Sequence, residues 1–259
     1  MPHNIAVHQE KIHFKPGTFC RRMKYGKKKY DKQEWSTGMA LYIDSAFLKD
    51  ITNVAQTVPL AGVTTNPTIM LQARERGQDL SPQSVLSELL RVMGGTVFIQ
   101  PGATGEEEMY QQALAYIQAS PNRVIPKLPM THTGMRVAQR LKHQQHRIAF
   151  TAVTSVAQAY SAAMVAADFV IPYYGRMERS GIDASERISE MADVLHNAGL
   201  STRILVASIK SAEDIACSLL AGADDLTIAP QVLLDMISDP LTEEAIERFS
   251  QDWQKMNKL

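Results

Sequence analysis

A lysine enclosed by apolar neighbours is the first feature of this 259-residue chain that could do chemistry. Lys127 sits within Val124-Ile125-Pro126-Lys127-Leu128-Pro129. Desolvation disfavours an ammonium, so a buried amine deprotonates more easily and can attack a carbonyl carbon, giving a carbinolamine and then a Schiff base. Taken alone, the residue reads as well as a lysine snorkelling from a strand end, or one paired with Asp44 for structure. Asp44, closing Leu41-Tyr42-Ile43-Asp44, strengthens the catalytic reading, because an inward carboxylate can pair with the lysine or shuttle a substrate proton. Its plainer role is to cap a helix from Ala46 onward, for which Ser45 is equally suitable.

Other groups point the same way. Thr64, Thr65 and Asn66 offer two hydroxyls and an amide that could orient the oxygens of a polyol. They also precede Pro67, which marks a helix start, so a turn and cap explain them too. Arg176 presents a bidentate fork and Ser208 a hydroxyl, both suited to a phosphate, with Lys210 close by in sequence. Surface ion pairing is the plainer and preferred account of Lys210, and it explains Arg176 as well as a phosphate does. His143 and His146, spaced i,i+3 between Lys142 and Arg147, read as a solvated helix face rather than metal ligands. No metal cluster, cysteine nucleophile or Ser–His–Asp set is visible.

The elements that must position these groups repeat one pattern from Leu41 onward. Short β-rich runs are expected at Leu41–Asp44, Ala61–Thr65, Thr96–Gln100, Arg123–Leu128, Arg147–Ala152, Phe169–Tyr173, Thr202–Ser208 and Asp225–Ile228. Most are continuous apolar runs, as parallel strands covered by helices should be. Helical stretches lie between them, among them Glu106–Gln118, Thr154–Ala167, Ala184–Asn197 and Ala212–Ala221, with caps expected at Thr104, Ser185 and Ser211. Eight strand–helix units in this length predict an α/β fold, a (β/α)8 TIM barrel with an extra C-terminal helix. The rival, a doubly wound open sheet, lacks its glycine-rich dinucleotide turn. Barrel active sites lie at the carboxyl ends of the strands. Reading those ends in order gives Asp44, Thr64-Thr65-Asn66, Gln100, Lys127, Thr151, Tyr173 with Arg176, and Ser208 with Lys210. The eighth strand offers only Thr227.

Composition narrows the alternatives. The chain is 45% hydrophobic and 21% charged, ordinary for a globular protein, with no apolar run long enough for a membrane span and no signal-peptide segment. Two cysteines, Cys20 and Cys217, cannot build a disulfide framework, and a cytoplasmic location is expected. A net charge of +0 hides an asymmetry: residues 1–38 carry nine basic and three acidic groups, leaving the rest at −6. An acidic body is a poor nucleic-acid binder. Residues 1–38, with Lys27-Lys28-Lys29 and no hydrophobic period, read as a basic solvated extension, or as residues upstream of a true start at Met39. The functional domain is expected to be 39–259.

The segments Leu41-Tyr42-Ile43-Asp44, Gly62-Val63-Thr64-Thr65-Asn66-Pro67, Pro126-Lys127-Leu128-Pro129, Pro172-Tyr173-Tyr174-Gly175-Arg176 and Ala207-Ser208-Ile209-Lys210 together resemble the transaldolase family. The likeness is strongest to its small members, which include fructose-6-phosphate aldolase, and it runs from about residue 40 to the end. It implies a Schiff-base lysine at Lys127 and a proton-handling aspartate at Asp44. It further implies substrate-orienting groups at Asn66 and Ser208, a threonine holding the catalytic water at Thr151, and a phosphate end at Arg176 with Ser208; Thr65 is grouped with the substrate contacts. It implies no metal and no cofactor, a sugar-phosphate substrate, and neither nucleic acid nor membrane as partner. Within the family, transaldolases typically carry Glu on strand three and Phe on strand six, whereas the aldolases carry Gln and Tyr. Gln100 and Tyr173 match the aldolase pair, and a phenol can supply a proton to an enamine where a phenyl ring cannot. The expected activity is cleavage or formation of fructose 6-phosphate, with transaldolase, a pentose phosphate pathway activity, as the alternative. A barrel that binds sugar phosphates without turnover is a reading of another class, and a buried nucleophile argues against it. Leu241, Ala245, Ile246, Phe249, Trp253 and Met256 make an apolar stripe over 241–256. It could pack on its own barrel; the resemblance implies instead a ring-like homo-oligomer, with a decamer among its forms.

Overall fold

Parallel strands that read as unbroken apolar runs need cover on both faces, and closure into a barrel provides it. Strands β1 (Ala40–Asp44), β2 (Gly62–Thr64), β3 (Thr96–Ile99), β4 (Val124–Pro129), β5 (Ala149–Val153), β6 (Phe169–Pro172), β7 (Arg203–Ile209) and β8 (Asp225–Ile228) pair in parallel in chain order, and β8 closes on β1. The structure, a computed structural model, describes residues 38–257. The basic extension and Cys20 lie outside them. The (β/α)8 barrel expected from the strand–helix repeat is the fold observed.

Helices α1 (Leu48–Val54), α2 (Pro67–Glu75), α3 (Pro82–Val92), α4 (Glu106–Ala119), α5 (His132–His143), α6 (Val156–Met164), α7 (Tyr174–Arg179), α8 (Ala184–Asn197), α9 (Ala212–Leu220), α10 (Pro230–Asp235) and α11 (Pro240–Met256) follow. The connections after β2 and β6 hold two helices each, and α10 and α11 follow β8. Ser211 caps α9 as expected, accepting from the Asp214 N–H. Two expected caps are corrected. Gly105, not Thr104, begins α4, whose first turn holds Glu106, Glu107 and Glu108 against the helix dipole. Asp183, not Ser185, caps α8; Ser185 is the second residue of the helix, buried, with its hydroxyl 3.1 Å from that of Tyr174.

The barrel interior is layered because side chains alternate along each strand. At its amino-terminal end Asp225 of β8 accepts two bonds from Arg203 of β7, at 2.7 and 2.8 Å, and one from the Ala40 N–H. The middle layer includes Tyr42, Phe98 and Phe169, stacked edge to face with centroids 5.2 and 5.0 Å apart, together with Ile125, Ala149 and Leu205. Two residues further along these runs come Asp44, Gln100, Lys127 and Thr151, with Ile171 and Ala207 beside them, so the next layer is polar on the side of the first five strands and apolar on the other. The register shifts in β5 between Thr151 and Val153 and in β7 between Val206 and Ile209. Ala152 (φ 60°) and Ser208 (φ 63°) take the left-handed backbone there, which costs a non-glycine residue about 1–3 kcal/mol. Both distortions fall where functional side chains are expected.

α11 buries none of its residues; Leu241, Phe249 and Trp253 are 75%, 61% and 64% exposed. The apolar stripe therefore does not pack on its own barrel. Among the described residues no helix is long and apolar enough to cross a membrane.

Candidate active site

Lys127 enters the barrel near the end of β4 with only 1% of its surface exposed. Its ammonium donates to the Thr65 backbone carbonyl at 3.1 Å. The buried setting expected from its neighbours is present, and neither of its plainer readings fits: it neither snorkels to solvent nor forms a direct ion pair with Asp44.

Asp44 is likewise no helix cap. It ends β1 opposite Thr64 and accepts that residue's hydroxyl at 2.6 Å, while Ser45 takes the local turn by accepting from the Phe47 N–H. Burial lifts the Asp44 carboxyl above its ordinary range. The positive charge of Lys127, the Thr64 bond and Lys210 pull it down without cancelling that lift. A carboxylate that gains a proton more readily than usual beside a buried amine is suited to exchange protons with a substrate.

On the adjacent strands, Thr151 of β5 and Tyr173, just past β6, bring their hydroxyls within 2.9 Å of each other. The Arg176 guanidinium lies 4.9 Å from the Tyr173 ring centroid, a cation–π contact at the exposed edge of the mouth. Gly175, beside Arg176, packs against the end of β7: a Cβ there would stand 2.6 Å from the Ser208 carbonyl oxygen and 3.3 Å from both the Ser208 hydroxyl and Lys210 Cγ. Only glycine permits this approach, which sets the start of α7, where Arg176 stands, against Ser208 and Lys210 at the end of β7. Thr65 Oγ1 is buried without a hydrogen-bond partner, which leaves it available to a ligand hydroxyl.

Two candidates are placed differently. Asn66 uses one lone pair of its side-chain oxygen on the Ile69 N–H as the cap of α2, so its amide is held by the helix start while its nitrogen stays available to a substrate. Gln100 follows β3 at the mouth, half-buried, and bonds directly to neither Thr151 nor Tyr173. One residue is more engaged than its sequence context signalled. Thr227 of β8 is buried with its hydroxyl 2.6 Å from that of Thr64, completing a line of three polar groups ending at Asp44. The only signal in the sequence was its place at a strand's carboxyl end.

A parallel (β/α)8 barrel whose mouth joins a buried lysine, an adjoining carboxylate and a phenol defines the class by architecture. Residues 41–259 match the family model described as Transaldolase/Fructose-6-phosphate aldolase. A protein of Alkaliphilus metalliredigens (strain QYMF) is 34% identical over 220 residues, spanning 85% of this chain and 100% of its own. One of Symbiobacterium thermophilum is 36% identical over 216 residues (83% and 97%), and one of Brucella ovis 32% over 217 residues (84% and 97%). All three bear the name "Probable transaldolase". A solved flavocytochrome b2 with sulfite bound superposes with a TM-score of 0.53 at 12% identity, over 76% of this chain and 57% of that one, which is a likeness of fold alone. The chain belongs to the transaldolase/fructose-6-phosphate aldolase family, and is an enzyme of that aldolase and transferase kind.

Proposed function

We propose that this enzyme cleaves and forms fructose 6-phosphate through a Schiff base on Lys127. The amine attacks the ketose carbonyl carbon, water leaves, and the iminium draws electrons from the C3–C4 bond. Asp44 accepts the C4 hydroxyl proton as that bond breaks, glyceraldehyde 3-phosphate departs, and a three-carbon enamine stays on Lys127. Tyr173, with a water oriented by Thr151 and Gln100, returns a proton to the enamine carbon. Hydrolysis of the imine then frees dihydroxyacetone. Thr65 and Asn66 orient hydroxyls, and Arg176 with Ser208 takes the phosphate. The sequence needs no metal and no cofactor, and we place it in cytoplasmic sugar-phosphate metabolism.

The observation that carries this reading is the buried Lys127 amine, held by one carbonyl oxygen in a mouth that also holds Asp44. The 2.9 Å pair of Thr151 and Tyr173 favours release over transfer, since it keeps a proton donor in the mouth. The second reading is transaldolase, favoured by the names of the relatives: the enamine waits for an aldose phosphate and attacks it. Product analysis with fructose 6-phosphate, with and without erythrose 4-phosphate, separates the two. Dihydroxyacetone without acceptor supports the aldolase, and turnover only with acceptor replaces it by transaldolase. A barrel that merely binds the sugar phosphate gives neither product.

A further inference from the structure

We propose that Thr227 is a positioning residue of this site: by donating to the Thr64 hydroxyl it directs that hydroxyl's proton onto Asp44, fixing one carboxylate oxygen and leaving the other for the substrate. The inference rests on Asp44 acting as the base of the reaction proposed above.

Thr64 Oγ1 lies 2.6 Å from Asp44 Oδ1 and 2.6 Å from Thr227 Oγ1, and both threonines are buried, at 0% and 1% exposure. A hydroxyl has one proton and a carboxylate has none to give. If Thr64 donated to Thr227, its oxygen lone pairs would face an anion at 2.6 Å. The charge on Asp44 therefore turns the Thr64 proton toward Oδ1, and the short contact on the other side is satisfied only by donation from Thr227. Hydrogen bonds in a chain polarise one another, so the donation from Thr227 strengthens the bond that Asp44 receives.

Register makes the line possible. β1 lies between β8 and β2, with Tyr42 level with Thr227 on one side and Asp44 level with Thr64 on the other. The charges acting on Asp44 are Lys127 from β4 and Lys210 beyond β7, while Asp225 on β8 itself is bound to Arg203. No substitution at Thr227 alters these charges, so a change in the behaviour of Asp44 reports on the hydroxyl line.

The test is the pH profile of kcat/KM for fructose 6-phosphate cleavage in Thr227→Val, which keeps the shape without the hydroxyl, and Thr227→Ser, which keeps the hydroxyl. Loss of the donation weakens the hold on ionised Asp44, so the acid limb in Thr227→Val is expected to move up by roughly half a pH unit, about threefold lower activity on that limb. Thr227→Ser is expected to restore it. Thr227→Ala, which sets no methyl against the Thr64 hydroxyl, is the second hydroxyl-free variant should Val disturb folding, and should show the same limb. An unmoved limb in the hydroxyl-free variant, or an equal loss at every pH in the Val and Ser variants, overturns the role. Borohydride trapping on the wild type separates the two layers. No three-carbon adduct on Lys127 refutes the Schiff-base reading and the base role of Asp44 with it. An adduct together with an unmoved limb refutes the Thr227 inference alone.

Discussion

Tyr173→Phe removes one oxygen and leaves a ring, so its consequences divide cleanly. Thr151 loses its 2.9 Å partner, and it is itself almost wholly buried. An unsatisfied buried hydroxyl costs about 1–3 kcal/mol, and because Tyr173 is half-exposed, water can repair part of that, so the low end of the range applies. For a domain of this size that corresponds to a Tm lower by about 2–4 °C. The phenyl ring still offers Arg176 a face, so the phosphate end should keep its place and KM for fructose 6-phosphate should move by less than about threefold. The kinetic loss is of another order. Removing the acid that protonates the enamine should lower dihydroxyacetone release by about 10²–10⁴, or roughly 3–5 kcal/mol in activation free energy. A stability loss of about 1 kcal/mol from a total of about 5–15 leaves the chain folded, so unfolding cannot account for a drop of that size. The assay follows dihydroxyacetone with and without erythrose 4-phosphate, and transfer should survive while release falls. Release at the wild-type rate, or release and transfer falling in equal proportion, would refute the assignment of the donor to Tyr173.

Lys127→Met should abolish both cleavage and the borohydride-trapped adduct while circular dichroism stays unchanged; an adduct that persists on Lys210 would move the nucleophile. Burial raises the Asp44 carboxyl in the folded chain, so its contribution to stability is present below the unfolded carboxylate range and is lost as pH rises through the raised folded value. Asp44→Asn should therefore hold or raise Tm at neutral pH by about 1–3 °C while cutting cleavage about 10²-fold, and a Tm lower by more than about 5 °C in calorimetry contradicts this. The exposed stripe on α11 is proposed as a contact between copies in a ring-like homo-oligomer, a decamer among its forms. Light scattering of the wild type at micromolar concentration should give an oligomeric mass that Phe249→Ser with Trp253→Ser lowers, and a monomeric wild type rejects the contact.

The barrel was legible because its evidence is redundant: eight apolar runs at regular spacing leave few other closures. Lys127 was legible because the apolar run around it reads as a covered strand, although its immediate neighbours point to the other face and the barrel interior is what buries its side chain. Asp44 was half-legible; its position at a strand end was plain, but its use of Thr64 rather than a helix end depends on the register between β1 and β2. Thr227 was visible only as a polar residue at a strand end; the alternation in Asp225-Leu226-Thr227-Ile228 puts it on a face, but its bond to Thr64, 163 residues away, depends on β8 closing the barrel against β1. The Arg203–Asp225 pair was hidden for a similar reason, its partners lying 22 residues apart on neighbouring strands. The caps of α4 and α8 show a different limit. Thr104 and Ser185 have the right chemistry, but α4 starts from Gly105 without a side-chain cap, and at α8 Asp183, equally suited by type, accepts the Glu186 N–H, so side-chain type alone did not choose between candidates.

The edge-to-face stack of Tyr42, Phe98 and Phe169 lies one layer beneath Lys127, with the Arg203–Asp225 pair below it. A barrel plugged in this way is a cup, and its contents have one way in and one way out. In the reaction proposed for this site, solvent that replenishes the mouth would use the same opening as the departing aldehyde. With the floor closed, sugar, aldehyde and solvent would share that single opening, and a change at the rim should be felt by all of them together.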